Sequence, residues 1–215
     1  VLEAITIPPA NSQPPQGIVV LLHGWGANYH DLVDLAEYMD LSAYQVVFPN
    51  APLAHPFNPV GRMWYAFPEE YRFMGTPEFG DRPDLSTSRQ HLLALLTEQS
   101  QTTGIPFSKI VLGGFSQGGA MTLDVGVRLP LAGLMVLSGY LHSPLQPQQE
   151  TVPPTLVIHG TQDAVVPIQS AWQVRETLQP LTHQLQYEEY PMGHEIRPAV
   201  LDKIQTFVKD ILPAH

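Results

Sequence analysis

Between Lys109 and Ala120 the chain reads Lys-Ile-Val-Leu-Gly-Gly-Phe-Ser-Gln-Gly-Gly-Ala. Ile110, Val111 and Leu112 form a short apolar run of the kind that fills a buried parallel strand. Gly114-Phe115-Ser116-Gln117-Gly118 then turns into a helical pattern carried by Ala120, Leu123 and Val127. Gly-x-Ser-x-Gly between a strand and a helix is a nucleophile elbow, which presents a serine hydroxyl above a sheet. The glycines have a steric reason. Gly114 and Gly118 leave room where strand and helix nearly collide, and Gly119 and Ala120 extend the gap. Five residues of this looseness also arise by chance, so the strand before them and the helix after them carry the weight.

The rest of the chain agrees with such a sheet. Leu2 to Ile7 alternates loosely, as an edge strand would, and Asn11 to Gly17 is a Pro/Gln-rich turn. Ile18 to Leu22 is the first buried strand and ends in His23-Gly24-Trp25-Gly26. Leu32, Leu35, Ala36 and Met39 have the spacing of a helix face. Gln45 to Phe48 is a strand closed by Pro49. Leu85 to Thr97 predicts a helix with Leu92, Leu93 and Leu96 inward and Asp84 or Ser86 as its cap. Gly133–Leu137, Thr155–Ile158 and Gln184–Tyr190 read as strands. Helices follow on Ile168, Ala171, Trp172, Arg175 and Leu178, and then on Val200, Leu201, Ile204, Phe207, Val208 and Ile211. Strands alternating with helices imply βαβ units, hence an α/β fold with a mostly parallel central sheet and helices on both faces. The expectation is one domain over residues 1–215.

One segment breaks the pattern. From about 50 to 83 no period persists, because prolines 52, 56, 59, 68, 77 and 83 interrupt it. Trp64, Tyr65, Phe67, Tyr71, Phe73 and Phe79 lie between them. A long connection inside a compact domain is usually functional, and a polar linker would not hold so many rings. It reads as a packed excursion over the carboxyl ends of the strands.

Composition excludes more than it assigns. Ten Lys and Arg against twenty Asp and Glu give a net charge of −10, which disfavours nucleic acid and anionic lipid as electrostatic partners. With no cysteine there is no disulfide, thiolate nucleophile or Cys-ligated zinc. No metal-ligand motif clusters, so no metal is expected. No apolar run approaches the ~20 residues of a membrane span. A cytoplasmic location is the expectation, although the chain starts at Val1 and a removed N-terminal segment stays open.

A serine hydroxyl needs a base, and the base needs an acid to hold its tautomer. In open α/β sheets reacting groups collect just after strands. Asp163, after the Thr155–Ile158 strand, is therefore the candidate acid, and Asp124, within the elbow helix, reads as a solvated helix residue. His194, after the last strand, is the candidate base among nine histidines. His23 and His159 end strands and read as braces, while His30, His55, His91, His142, His183 and His215 read as solvated or structural. The order Ser116, Asp163, His194 is the one α/β-hydrolases use. Backbone amides of Gln117 and Trp25 are placed as an oxyanion hole. The Trp25 ring then belongs to the core or to the acyl site. Trp64, Tyr65, Val165, Val166 and Met192, with Trp25, are the candidate substrate wall.

Four blocks carry a resemblance: Leu22-His23-Gly24; Gly114 to Met121; His159-Gly160 with Asp163 and Val166-Pro167; and Met192-Gly193-His194. Together they resemble the carboxylesterase and acyl-protein thioesterase group of small α/β-hydrolases, also called the phospholipase/carboxylesterase family. The resemblance implies a cofactor-free hydrolase of carboxylic esters or thioesters, often soluble and often dimeric. Two departures stand where acyl and alcohol groups would be sensed. Trp25-Gly26-Ala27-Asn28 replaces a common Leu-Gly-Asp, and Trp64-Tyr65-Ala66 replaces a common Trp-Tyr-Asp or Trp-Phe-Asp. They weaken the transfer of any one relative's substrate, protein depalmitoylation included. The sequence reading is a carboxylesterase acting through an acyl-enzyme on a small-molecule substrate. Its rivals are a thioesterase, lysophospholipase or peptidase on the same residues, and a non-catalytic receptor of hydrolase fold.

Overall fold

A computed structural model of the chain describes residues 2–10, 13–68, 71, 73 and 82–213. Phe79, Pro77 and His215 lie outside the described residues. In chain order the elements are β1 (Ala4–Ile7), β2 (Ile18–Leu22), α1 (His30–Val33), β3 (Gln45–Pro49), β4 (Leu53–Ala54), β5 (Arg62–Met63) and α2 (Pro83–Thr103). There follow β6 (Ile110–Phe115), α3 (Gln117–Gly126), β7 (Gly133–Leu137), β8 (Thr155–Gly160), α4 (Ile168–Leu178), β9 (Leu185–Tyr190) and α5 (Pro198–Ile211).

Seven strands make one sheet in the order β1-β3-β2-β6-β7-β8-β9, and β4 and β5 form a separate small hairpin. Only the β1–β3 pairing in the large sheet is antiparallel. All residues of β2 and β7 are buried, as expected where helices cover both faces and alternation has no solvent side to mark. Ile18, Val20 and Leu22 join the layer holding Leu92 of α2, Met121 of α3 and Val174 of α4. Val19 and Leu21 face the other way, into the layer holding Leu32 of α1 and Ile204 and Phe207 of α5. The α/β architecture, with a mostly parallel sheet between helices, is as the alternation predicts.

Local departures have local reasons. The helix after β2 is a single α-turn continued by a 3₁₀ turn over Asp34–Tyr38. Spacings of three and four bury Leu32 and Met39 and half-bury Leu35 and Ala36, which tight turns of either kind satisfy. Helix α2 is longer at both ends than the leucine pattern. It starts with Pro83 after Arg82, so neither Asp84 nor Ser86 is its cap. The Asp84 carboxylate instead accepts the N–H groups of Ala66 and Leu85, each at 2.9 Å. The polar run to Thr103 stays helical, with Thr97, Thr102 and Thr103 bonding carbonyls one turn back, and ends on left-handed Gly104. Leu93 is exposed, whereas Leu85, Leu92, Leu95 and Leu96 are buried.

Asp124 corrects an expectation. It is 3% exposed because every residue of α3 is buried, so this helix has no solvated face for a charge to use. Arg89 of α2 bonds its carboxylate, as do Arg128 one turn on and His142 Nε2, the last two at 3.0 Å. Burial alone would raise the carboxyl, but His142 and then Arg89 hold it well below the usual carboxylate range. His142 is buried as well, its Nδ1 lying 3.0 Å from the Tyr65 hydroxyl. Removing one charge from a buried cluster strands its partners. Asp124→Asn, which a solvated residue would tolerate, should therefore destabilise the fold by about 3 kcal/mol in urea unfolding.

Candidate active site

The strand order reverses between β2 and β6. Chain leaves β2 toward β3 on one side, and later sequence builds outward from β6 on the other. That switch point opens a crevice at the carboxyl ends of the two strands. Leu22 pairs with Gly114, so His23-Gly24 and Phe115-Ser116 leave the sheet side by side. A Cβ on Gly24 would lie 3.3 Å from the Ser116 Cβ.

Crowding gives the elbow its glycines. A Cβ at Gly114 would sit 2.3 Å from the Gly118 carbonyl, and one at Gly118 would sit 2.3 Å from the Leu22 carbonyl oxygen. Between them Ser116 is held at φ 56° and ψ −116°, a strained conformation for a residue with a side chain. Its N–H donates to Leu137 C=O at 2.8 Å and its C=O accepts from Ala120 at 3.1 Å.

Asp163 and His194 come from successive strand ends. Asp163 Oδ1 accepts the N–H groups of Val165 (2.9 Å) and Val166 (2.8 Å), leaving Oδ2 for His194 Nδ1 at 2.7 Å. Burial would raise this carboxyl, but His194 and the two backbone donors hold it below its ordinary value. Gln162 N–H donates to Met192 C=O at 3.1 Å and ties the two loops together. With Nδ1 on a carboxylate, Nε2 is the ring nitrogen left to exchange a proton. The His194 ring lies 4.7 Å from that of Phe115.

Ser116 and His194 line one cleft of about 320 Å³. Trp25, Leu32, Leu35, Phe115 and Ile196 are among its apolar lining, and Asp31 and Glu195 stand among its polar lining. Gln117 N–H opens α3, where helix geometry leaves it without an intrahelical acceptor. Trp25 N–H has no protein acceptor among the described residues. The Trp25 ring is 40% exposed and meets the His55 ring edge-on at 4.0 Å.

Several expected contacts are corrected. Trp64 and Tyr65 have no exposed surface, so neither is a wall of this cleft. Polar atoms pull them inward: Trp64 Nε1 donates to His23 C=O at 3.0 Å, and the Tyr65 hydroxyl bonds that of Tyr140 at 2.7 Å. Val166 and Met192 are buried in core layers. Val165 is exposed beside Asp163 but outside the cleft lining. Trp25 alone of the six meets the cleft. Leu32, Leu35, Phe115 and Ile196 line the cleft without standing out in the sequence as contacts, although Phe115 inside the elbow and Ile196 two residues past His194 are available signals.

The chain matches the phospholipase/carboxylesterase family over residues 5–212. It belongs to that family. Among curated members of the family, acyl-protein thioesterase 1 of Eremothecium gossypii is 30% identical, the match covering 96% of this chain and 92% of the relative. The same enzyme of Saccharomyces cerevisiae is 29% identical over 94% of this chain and 96% of the relative. Of solved structures, esterase PE8 is 31% identical with a TM-score of 0.85, covering 98% of this chain and 99% of that one. Arabidopsis thaliana SOBER1 is 25% identical with a TM-score of 0.76, covering 91% and 99%. The chain is thus an enzyme of the ester- and thioester-hydrolysing phospholipase/carboxylesterase family. No helix among the described residues is long and apolar enough to cross a membrane.

His23 is buried, its Nδ1 donating to Gly24 C=O at 2.7 Å and its Nε2 accepting Ala51 N–H at 3.0 Å. Burial lowers its pKa from 6.5 to about 4. The unfolded chain therefore binds a proton that the folded chain refuses between those values, so stability is full above pH 6.5 and falls as pH drops toward 4. Each pKa unit corresponds to about 1.4 kcal/mol, so His23 alone should remove about 3 kcal/mol across that window. Urea midpoints at pH 7 and pH 4.5 will measure the loss, and His23→Gln should flatten the slope.

Proposed function

We propose that this enzyme is a serine hydrolase that cleaves acyl thioesters and esters through a covalent acyl-enzyme, with thioesters its better substrates. One observation carries the reading: His194, bonded to the buried Asp163 at 2.7 Å, lines the same cleft as the strained Ser116. In this reading Ser116 Oγ attacks the acyl carbonyl while His194 Nε2 takes its proton. Asp163 holds His194 in the Nδ1–H tautomer and stabilises the imidazolium. The amides of Trp25 and Gln117 hold the oxyanion. The carbon–sulfur or carbon–oxygen bond breaks, His194 gives its proton to the leaving atom, and water repeats the sequence to free the acid.

From the sequence alone, oxygen esters come first. The curated relatives named acyl-protein thioesterase favour the thioester alternative, and so does leaving-group chemistry. A thiol has a pKa of about 8.5, so a thiolate departs with less help from His194 than an alkoxide needs.

Ser116→Ala and His194→Ala should each abolish nearly all turnover, the double variant being little worse than either. Asp163→Asn should cost ~10⁴-fold in kcat. A matched panel of acyl-CoA, S-acyl peptide, p-nitrophenyl ester and lysophospholipid, with Ser116→Ala as control, ranks the substrate classes. Faster oxygen esters at equal acyl length would restore the carboxylesterase reading. Absence of labelling by a fluorophosphonate would leave a non-catalytic hydrolase fold.

Selectivity should follow the cleft. Its walls at Leu32, Leu35, Phe115 and Ile196 suit an apolar substituent. Each methylene buried there is worth about 0.8 kcal/mol, roughly fourfold in kcat/KM. Leu35→Ala should move the optimum to longer chains, and Trp25→Ala should lower kcat/KM most for apolar substrates. A uniform loss at every length, with a lower Tm, would assign these side chains to packing alone.

A further inference from the structure

The two N–H groups proposed to hold the oxyanion sit on separate segments, Trp25 after β2 and Gln117 at the start of α3. A continuous chain of side-chain hydrogen bonds links them. The Gln117 carboxamide, fully buried, accepts Trp64 N–H at Oε1 and donates from Nε2 to Tyr65 C=O, both at 2.8 Å. Grasping a donor and an acceptor on neighbouring residues fixes that strand of backbone in rotation as well as position. From there the Trp64 indole donates to His23 C=O at 3.0 Å. The His23 ring then donates to Gly24 C=O at 2.7 Å.

Gly24 C=O and Trp25 N–H belong to one planar trans peptide and point in opposite directions. Holding the carbonyl therefore aims the N–H. At the other end of the chain, Gln117 carries the second donor on its own backbone. One residue thus supplies one donor directly and, through Trp64 and His23, is tied to the other.

We propose that the Gln117 carboxamide and the Trp64 indole are positioning groups, a strut that sets the Gly24–Trp25 peptide against the elbow so that the Trp25 and Gln117 N–H groups converge on one oxygen. The proposal rests on the serine acyl-enzyme reading. It also gives Trp64 a role that its full burial allows, in place of the substrate contact that burial forbids. Packing alone would need the ring but not the indole N–H.

Trp64→Phe keeps an aromatic side chain but removes that donor together with the pyrrole half of the indole, so the readout must separate a lost donor from a packing defect. The readout is kcat and KM for an oxoester and for its thionoester, in which sulfur replaces the carbonyl oxygen and accepts hydrogen bonds weakly. Loss of a whole oxyanion donor costs 10²–10³-fold, so a misaimed one should cost ~10–100-fold in oxoester kcat with KM little changed. The thionoester should lose far less, so the oxoester-to-thionoester ratio falls. Tyr44→Phe is the control, since the buried Tyr44 hydroxyl donates to Leu212 C=O, off the path to the hole. It should lower Tm yet leave the ratio unchanged. Gln117→Met, which keeps the length of the side chain but removes both of its hydrogen bonds, should lower the ratio as Trp64→Phe does, and serves if that variant fails to fold. An unchanged ratio in both variants would overturn the strut. A wild-type enzyme that does not discriminate oxoester from thionoester, with Ser116→Ala still active, would instead overturn the serine reading beneath it.

Discussion

The structure depends on a three-way backbone contact at the elbow. Strand β6 turns into α3 so tightly that Gly114 touches Gly118, and Gly118 in turn touches the end of β2. These contacts admit no Cβ, and they bring three segments to near van der Waals contact at the switch point of the sheet. The strain at Ser116 follows from that closeness, as does the short path from β2 to the serine. Helix α3 must then run beneath other elements rather than over the surface. Its complete burial explains why Asp124, in mid-helix, is a paired charge that pins α2 through Arg89.

The same crowding separates what the sequence disclosed from what it hid. Strand ends are legible because apolar runs stop at recognisable turn residues, and Ser116, Asp163 and His194 each follow such an end. The destination of the 50–83 excursion was not legible. Aromatic residues in a long loop fit a substrate wall and a core equally well. The choice fell to partners far away in sequence: Tyr140 for Tyr65, His23 C=O for Trp64, Ser88 for the Trp64 carbonyl. Asp124 reads as solvated in the sequence for a related reason, since only the complete cover over α3 turns a helical aspartate into a buried one. The cleft walls at Leu35 and Ile196 were hidden because they come from a 3₁₀ turn and from a loop, neither of which has a strong period.

Side chains rather than sheet hydrogen bonds hold the segment from Trp64 to Ala66. Gln117 grips Trp64 and Tyr65, Ser88 takes the Trp64 carbonyl, and Asp84 takes the Ala66 amide. The Tyr65 hydroxyl leads on through His142 to Asp124 and its arginines. A satisfied buried network of this kind restricts alternative packings more than an apolar contact of the same area, because each displaced bond leaves a polar atom without water. The segment from Trp64 to Ala66 therefore acts as a brace behind the serine, and the exposed surface of the cleft is left to Trp25 and the aliphatic residues that line it.

Three histidines stand at the carboxyl ends of strands or just beyond, and their hydrogen bonds separate them. His23 spends both ring nitrogens on backbone, at Gly24 C=O and Ala51 N–H, and burial keeps it neutral far below pH 6.5. His159 gives Nε2 to Val166 C=O at 2.8 Å, lies 3.5 Å from Asp163, and has a buried Nδ1 without a protein partner among the described residues. Burial lowers its pKa as well. A general base needs a carboxylate on one nitrogen, to stabilise the cation it becomes, and an open second nitrogen facing the reactant. His23 has no carboxylate partner, and His159 is sealed from the cleft. His194 alone of the three combines a 2.7 Å carboxylate bond with a place in the cleft wall beside Ser116. The distinction comes from where each loop delivers the ring, which is why strand ends of one sheet can hold chemically identical side chains in such different surroundings.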